Sequence, residues 1–339
     1  MLDLNLIWFI LLGVLLIGYA ILDGFDLGVG ALHLFSKGDT ERRTLMNSIG
    51  PVWDGNEVWL VTAGGALFAA FPHAYATAFS GFYLAFMALL FALIFRAVAL
   101  EFRSKEPMAW WRQLWDVSFC VSSTVAAILF GVAVGNLIVG MPIGEDMEYQ
   151  GTFLQLLNPY ALLVGVFNLS LFTMHGAIYL YLKTEGETQA KAKRWIYRAF
   201  FAFVALYLTT TIATLIAYPR LVENFRTFWW AWVVALLNAL AIANIPRALH
   251  RNLPFRAFVS SCCTIAGLIF LFGIGSYPNL MFSTLDPAWS LTLANAASSQ
   301  KTLGIMLIIA ILGLPCVLAY TISIYWIFRG KVQMDRFSY

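Results

Sequence analysis

Long apolar runs dominate this chain, and short polar segments separate them. Eight runs are close to or above the length of about 20 residues that an α-helix needs to cross a bilayer. A ninth segment, 50–71, has the right length but includes Asp54, Glu57 and the pair Gly64-Gly65. The pattern therefore predicts eight membrane-spanning helices and leaves the ninth segment open. The eight runs cover residues 6–34, 76–100, 114–140, 156–183, 196–219, 228–246, 257–282 and 303–328.

Composition changes this picture only by excluding a soluble protein. Of the 339 residues, 61% are hydrophobic and 12% are charged, and the mean hydropathy is +0.78. Soluble domains carry about 25% charged residues. The net charge of +3 does not indicate nucleic-acid binding, because the basic residues lie in short loops between the apolar runs. We expect one continuous membrane domain over residues 1–339.

The distribution of positive charge decides between eight and nine spans. If segment 50–71 crosses, 17 Lys and Arg residues lie on the inner side and 3 on the outer side; otherwise the division is 14 to 6. Because Lys and Arg concentrate on the cytoplasmic side, the sequence predicts nine spans, with the N-terminus outside and the C-terminus cytoplasmic. The predicted inner residues are Lys37, Arg42, Arg43, Arg103, Lys105, Arg112, Lys183, Lys191, Lys193, Arg194, Arg198, Arg247, Arg251, Arg256, Arg329, Lys331 and Arg336; the outer ones are Arg220, Arg226 and Lys301.

Four acidic residues lie inside the predicted membrane region. Asp23 and Asp26 belong to the first span, and Asp54 and Glu57 belong to the ninth segment. These two spans form a hairpin in the nine-span arrangement, so all four acids reach a similar depth towards the cytoplasmic side. A charged carboxylate at the centre of a bilayer costs at least about 2.5–3.5 kcal/mol, and the group therefore indicates proton or cation handling. The alternative is ordinary solvation near helix ends at the inner interface.

Two further charged residues lie at the end of the run 76–100 and directly after it. This run leads inwards, so Arg96 and Glu101 reach the depth of the four acids. Opposite charges attract strongly where the dielectric constant is low. We therefore expect Arg96 to be the counter-ion of the acidic group, with Glu101 beside it.

The histidines and cysteines do not form a pattern typical of a metal site. His175 lies deep in the run 156–183, whereas His33, His73 and His250 lie near span ends or in loops. We interpret His175 as a hydrogen-bonded core residue, with haem ligation or proton relay as the alternatives, and the other three as interface residues. The four cysteines lie in apolar stretches without a Cys-x-x-Cys pair, so we expect them to be buried small hydrophobic residues. We predict no metal site in this chain.

Five segments, distributed from the first span to the loop before the last one, carry a family pattern. They are Asp23-Gly-Phe-Asp-Leu-Gly-Val-Gly30, Gly50-Pro-Val-Trp-Asp-Gly-Asn-Glu-Val-Trp-Leu-Val-Thr-Ala-Gly-Gly65, Phe95-Arg-Ala-Val-Ala-Leu-Glu-Phe-Arg103, Tyr277-Pro-Asn-Leu280 and Trp289-Ser-Leu-Thr-Leu-Ala-Asn-Ala-Ala-Ser-Ser299. These segments resemble subunit II of the cytochrome bd-type quinol oxidases. The Trp-Asp-Gly-Asn-Glu-Val-Trp stretch is the most specific of them.

The resemblance implies an all-α integral membrane protein of about nine helices, built as two four-helix bundles plus a peripheral helix. Residues 1–140 would form the first bundle and residues 156–328 the remaining five helices. The implied complex oxidises a membrane quinol and reduces dioxygen in a bacterial or archaeal cytoplasmic (inner) membrane. Its subunit I would carry the b- and d-type haems, and subunit II would support it. A small single-helix subunit accompanies some of these complexes, and a structural quinone in this subunit is left open.

The resemblance also implies roles for particular residues. Asp23, Asp26 and Asp54 match the proton-path positions, and Trp53 would lie near the haem-bearing partner. Glu57 is a fourth candidate, although some relatives have Gln at this position. No catalytic residue is expected in this chain itself. A proton- or sodium-coupled secondary transporter, with discontinuous helices and inverted repeats, is the alternative from another class, and a purely structural membrane subunit is a third.

Overall fold

The computed structural model describes residues 3–333, and helices make up most of them, as the apolar pattern predicts. Arg336, one of the predicted inner residues, lies outside this range. Within it the chain forms twelve α-helices, and the longest connections between them are residues 140–158 and 277–299. Their bounds are α1 Leu4–Leu32, α2 Gly38–Ile49, α3 Trp53–Ala70, α4 Pro72–Gly81, α5 Tyr83–Phe102, α6 Ala109–Val139, α7 Pro159–Lys183, α8 Gly186–Ala217, α9 Arg220–Thr227, α10 Ala231–His250, α11 Pro254–Ser276 and α12 Gln300–Ile327.

Eight helices in the described range are long and apolar enough to cross a membrane. They are α1, α5, α6, α7, α8, α10, α11 and α12. Each overlaps one of the eight apolar runs, so this part of the prediction is confirmed. One boundary differs. The run 76–100 is divided between α4 and α5, because Phe82, with φ −90° and ψ 16°, leaves helical geometry between them.

The ninth segment forms a continuous helix, α3, which lies antiparallel to α1. Near the start of α3, Asn56 Nδ2 donates a hydrogen bond to the carbonyl oxygen of Leu22, at 3.1 Å. At its other end, Ala70 belongs to the same hydrophobic cluster as Trp8. The 18 residues of α3 extend over about 27 Å at 1.5 Å per residue. Helix α3 therefore lies beside most of the length of α1, although it is not among the eight helices that are apolar enough by themselves.

Helix α1 is in close contact with α7 through glycines. A Cβ atom at Gly28 would lie 1.9 Å from the carbonyl oxygen of Phe172, and one at Gly176 would lie 2.5 Å from the backbone of Gly28. Small residues of this kind let the backbones of two membrane helices approach closely. The half of α1 that carries the predicted acids is buried without interruption from Asp23 to Leu32. This contact fixes the position of those acids relative to α7.

A second, smaller core lies at the opposite end of α1 from the acids. It includes Phe71, Met141 and Leu291, and the two-stranded antiparallel sheet of β1 (Asn279–Met281) and β2 (Leu291–Thr292) belongs to it. The Ser298 amide donates to the carbonyl oxygen at the end of α3, that of Ala70, at 2.9 Å. This cap holds the end of α3 in position.

The glycine contact generates a stability prediction. The change Gly28→Ala should destabilise the protein by about 1–3 kcal/mol, the usual cost of overpacking, because α1 and α7 must separate. A lower Tm of the purified protein would be the expected result. The matched control is Gly13→Ala in the same helix, where a Cβ atom meets nothing within 4 Å. Equal Tm values for the two variants would contradict the tight α1–α7 crossing.

Candidate functional site

A buried arginine joins carboxylates from two other helices. Arg96 of α5 forms a bidentate pair with Asp23 of α1, with Nη2–Oδ1 at 2.6 Å and Nη1–Oδ2 at 3.0 Å. Arg96 Nη2 also lies 3.8 Å from Asp26 Oδ2, and Arg96 Nη1 lies 3.1 Å from Glu57 Oε1 of α3. We call these four residues the deep cluster.

Helical periodicity explains how the deep cluster assembles. Asp23 and Asp26 are three residues apart and therefore share a face of α1. Because α3 lies antiparallel to α1, Glu57 near its start comes to the same level as these two acids. The side chains of Asp23, Asp26 and Arg96 are 0% exposed, whereas that of Glu57 is 24% exposed. The cluster therefore has a buried interior and one side close to the surface.

The charges of the deep cluster do not balance. Three carboxylates face one guanidinium group, so the cluster carries two excess negative charges when all of them are ionised. Uncompensated charge in a low-dielectric interior costs several kcal/mol. In addition, Asp26 Oδ1 is buried and has no hydrogen-bond partner among the described residues. Such an arrangement can take up a proton, because protonation would remove part of the excess charge from the buried interior.

A short polar chain extends from the deep cluster to α12. Asn56 Nδ2 donates to Asp26 Oδ2 at 2.7 Å, and the hydroxyl of Tyr325 donates to Asn56 Oδ1 at 2.9 Å. The sequence contained no signal for Tyr325, because a single tyrosine in a late apolar run resembles any other aromatic residue. Asn56, by contrast, lies in the Trp-Asp-Gly-Asn stretch and could have been named.

The remaining predicted residues lie around the deep cluster but not inside it. Asp54 is exposed on α3, three residues before Glu57. Trp53 is 8% exposed and packs into the core of this chain. Glu101 is exposed on α5, where Arg96 is fully buried. The structure thus gathers three of the four acids around Arg96 and leaves Asp54 on the neighbouring surface.

A second ionic group, missed by the sequence reasoning, lies closer to the helix ends. Asp116 of α6 accepts from Arg103 Nε at 2.5 Å and from Arg42 Nη1 at 2.7 Å, and it contacts His33 Nε2 at 2.5 Å. Arg103 Nη2 also donates to Asp39 Oδ1 at 2.9 Å. We call these five residues the inner cluster. Asp116 was the available signal, because it is an acid within the apolar run 114–140.

The two clusters lie at two levels along α1 and α5, since His33 and Arg103 are the first residues after these helices. His33 follows Asp26 by seven residues, and Arg103 follows Arg96 by seven residues. Seven residues are nearly two helical turns, or about 10.5 Å, and they return to the same face. His33 lies at a span end, as expected, but it is 0% exposed and is held between Asp116 and the ring of Phe119.

The other histidine and cysteine interpretations have mixed outcomes. His175 is buried, with Nδ1 2.7 Å from Ser261 Oγ and Nε2 3.0 Å from the carbonyl oxygen of Ile21. The interpretation as a hydrogen-bonded core residue is therefore confirmed. Cys263 and Cys316 are exposed rather than buried, because the helix faces on which they lie are not covered by other helices of this chain.

The fold and the two clusters define a multi-pass helical membrane protein that carries ionisable groups between its helices. A family model described as "Cytochrome bd terminal oxidase subunit II" matches residues 4–328. The chain therefore belongs to the family of subunit II of the cytochrome bd terminal oxidases. Members of this family are subunits of respiratory oxidoreductase complexes, so the chain has a partner subunit.

Individual relatives agree with this assignment along the whole chain. "Cytochrome bd-I ubiquinol oxidase subunit 2" of Escherichia coli (strain K12) is 40% identical over 364 residues, covering 98% of this chain and 96% of that protein. "Cytochrome bd ubiquinol oxidase subunit 2" of Bacillus subtilis (strain 168) is 37% identical over 338 residues, covering 98% of both. The solved bd oxidase of Geobacillus thermodenitrificans has a chain with a TM-score of 0.80 and 18% identity, covering 97% of this chain and 98% of that one. The last comparison shows that the two chains share a fold.

The bidentate pair of the deep cluster can be tested by a double-mutant cycle. The change Arg96→Gln leaves Asp23 buried without its counter-ion, and breaking such a pair costs about 3–5 kcal/mol. The double variant Arg96→Gln/Asp23→Asn removes both charges and should recover part of the lost stability. Thermal unfolding of the purified complex measures both effects. A double variant as unstable as the sum of the two single variants would contradict a direct coupling.

Proposed function

We propose that this chain is the second subunit of a quinol:dioxygen oxidoreductase in a bacterial cytoplasmic membrane. The deep cluster would form part of a proton path from the cytoplasm to the oxygen-reducing site of the partner subunit. The charge imbalance of the cluster is the observation that supports this role most, because it favours uptake of a proton inside the membrane. The names of the E. coli and B. subtilis relatives support a quinol as the reductant.

The proposed orientation has nine spans, with α3 as the second. The division of 17 inner and 3 outer basic residues in the sequence supports it, as does the antiparallel contact of α3 with α1. In this orientation the inner cluster lies at the cytoplasmic ends of α1, α5 and α6. The deep cluster lies about two helical turns further into the membrane. A proton from the cytoplasm would therefore reach the level of the inner cluster first.

Within the proposed path, each residue has a separate task. Arg96 holds Asp23 in place by two hydrogen bonds, which leaves Asp26 and Glu57 as the groups that can hold the proton. Asp54 is the neighbour of Glu57 on α3 at a spacing of three residues and faces the surface. It is the residue best placed to pass the proton to a covering partner subunit.

The haems are proposed to lie in subunit I. His175 is unsuited to bind one, since both of its ring nitrogens are engaged in the core. The haems of the complex would supply electron transfer and oxygen reduction, and this chain would contribute packing and proton positions. A small single-helix subunit and a structural quinone stay predictions of the family resemblance. The transporter alternative is not proposed, because the chain belongs to a terminal oxidase family.

The proton role predicts a selective loss of turnover. Asp26→Asn and Asp54→Asn should each slow oxygen reduction by about a hundredfold or more, the lower end of the range that proton-transfer groups contribute, while the haem spectrum stays intact. Quinol-driven oxygen consumption and the visible spectrum of the purified complex are the measurements. Glu145→Gln, in the exposed loop after α6, is the control and should leave both unchanged.

Two results would contradict different parts of the proposal. Normal turnover in both variants would remove the proton path from these residues. Loss of the haem spectrum in both would indicate that the acids act on assembly instead of on proton delivery.

If α3 crosses the membrane, its two ends are accessible from opposite sides of the membrane. A cysteine at position 37 (Lys37→Cys) should react with a membrane-impermeant thiol reagent only from the cytoplasmic side, and one at position 73 (His73→Cys) only from the outside. Both native side chains are exposed. The unsubstituted chain, with its four cysteines, provides the background. Labelling of both positions from one side would show that α3 does not cross, without affecting the family assignment.

A further inference from the structure

The inner cluster borders a cavity of about 330 Å³ that opens at the surface. This volume lies in the lower part of the range of about 300–1,000 Å³ that is typical of ligand pockets. The charged residues that line it are Asp39 and Asp116 together with Arg42, Arg103 and Arg112. The cavity lies where α2 begins, α5 ends and α6 begins. It is therefore separate from the deep cluster.

The lining of this cavity has a charge excess opposite to that of the deep cluster. Three guanidinium groups face two carboxylates, which leaves one positive charge. Arg103 is 1% exposed, and its Nη1 atom is buried without a hydrogen-bond partner among the described residues, as is Arg42 Nε. An anion in the cavity would balance the excess charge and could accept from these donors. Guanidinium groups match the oxygens of a phosphate particularly well.

The depth of the cavity favours a lipid over a soluble anion. Trp110 and Trp111 lie in the first turn of α6, which borders the cavity, and Trp110 is 62% exposed. The Trp111 indole donates to the carbonyl oxygen of Phe102, the last residue of α5, at 2.9 Å. Tryptophan rings concentrate at the level of the lipid headgroups. Basic pockets at this level, on the cytoplasmic side, bind anionic headgroups.

We propose that this cavity binds the phosphate group of an anionic phospholipid. A phosphodiester carries one negative charge, which equals the excess of the lining. A zwitterionic lipid brings an ammonium group that the three arginines repel, so it should bind more weakly. The bound headgroup would connect α2, α5 and α6 at their inner ends. This inference rests on the proposed orientation of the helices and is independent of the proposed proton path.

The test is a lipid titration of the delipidated, detergent-purified complex followed by native mass spectrometry. The probes are dioctanoyl phosphatidylglycerol, dioctanoyl phosphatidylcholine and inorganic phosphate. Arg112→Gln should lower the affinity for phosphatidylglycerol about tenfold, the effect of losing one hydrogen bond to a charged group. Arg112 is suitable because its side chain is 34% exposed, so the fold tolerates the change better than at Arg103. Arg194→Gln, an exposed residue of α8, is the control of equal charge and should keep the affinity.

The unsubstituted complex provides a second test that needs no variant. Phosphatidylglycerol should bind more tightly than phosphatidylcholine, and inorganic phosphate should not displace it at comparable concentration. Equal affinity for the two lipids, or no difference between the Arg112 and Arg194 variants, would overturn the proposal. Displacement by inorganic phosphate would mean that the cavity is a site for soluble anions instead of lipids.

Discussion

The ion pair between Arg96 and Asp23 is the constraint on which the arrangement of the first helices depends. Both side chains are fully buried, so neither charge can be left without the other. The pair fixes α5 against α1 at one depth, and the contact of Arg96 with Glu57 extends the constraint to α3. On the other side of α1, the close backbone contact at Gly28 holds α7. The position of the acids is thus determined from two directions.

The deep cluster and the lining of the inner cavity have opposite charge balance. The deep cluster has more carboxylates than guanidinium groups, whereas the lining of the inner cavity has more guanidinium groups than carboxylates. A monovalent anion can balance the excess charge of the second, and a proton can lower the excess charge of the first. Because the spacing of seven residues recurs in both α1 and α5, the two levels remain aligned. This difference in charge, more than the number of ionisable groups, separates the roles that we propose for them.

Hydropathy was sufficient to predict eight of the helices, because each must bury its whole length in lipid or protein. Hydropathy could not predict which of Asp54 and Glu57 is exposed and which reaches Arg96. Positions three apart share a helix face, yet they differ by about 60° around the axis, and this is enough for Glu57 to reach Arg96 while Asp54 is exposed. The inner cluster could not be predicted for another reason. Arg42 and Arg103 lie in predicted loops, and only the folded chain brings them to Asp116.

Helix α3 has a composition that suits a helix between two protein surfaces. One side of it packs on α1, so Asn56 is hydrogen-bonded and Glu57 is ion-paired with groups of this chain. The other side exposes Asp54, which would cost at least about 2.5–3.5 kcal/mol if it faced hydrocarbon in its charged form. A partner subunit that covers this side would remove that cost by pairing the carboxylate or hydrating it within the complex. In that arrangement the low hydropathy of α3 would follow from its position, since a helix enclosed by protein on both sides does not need an apolar surface for lipid.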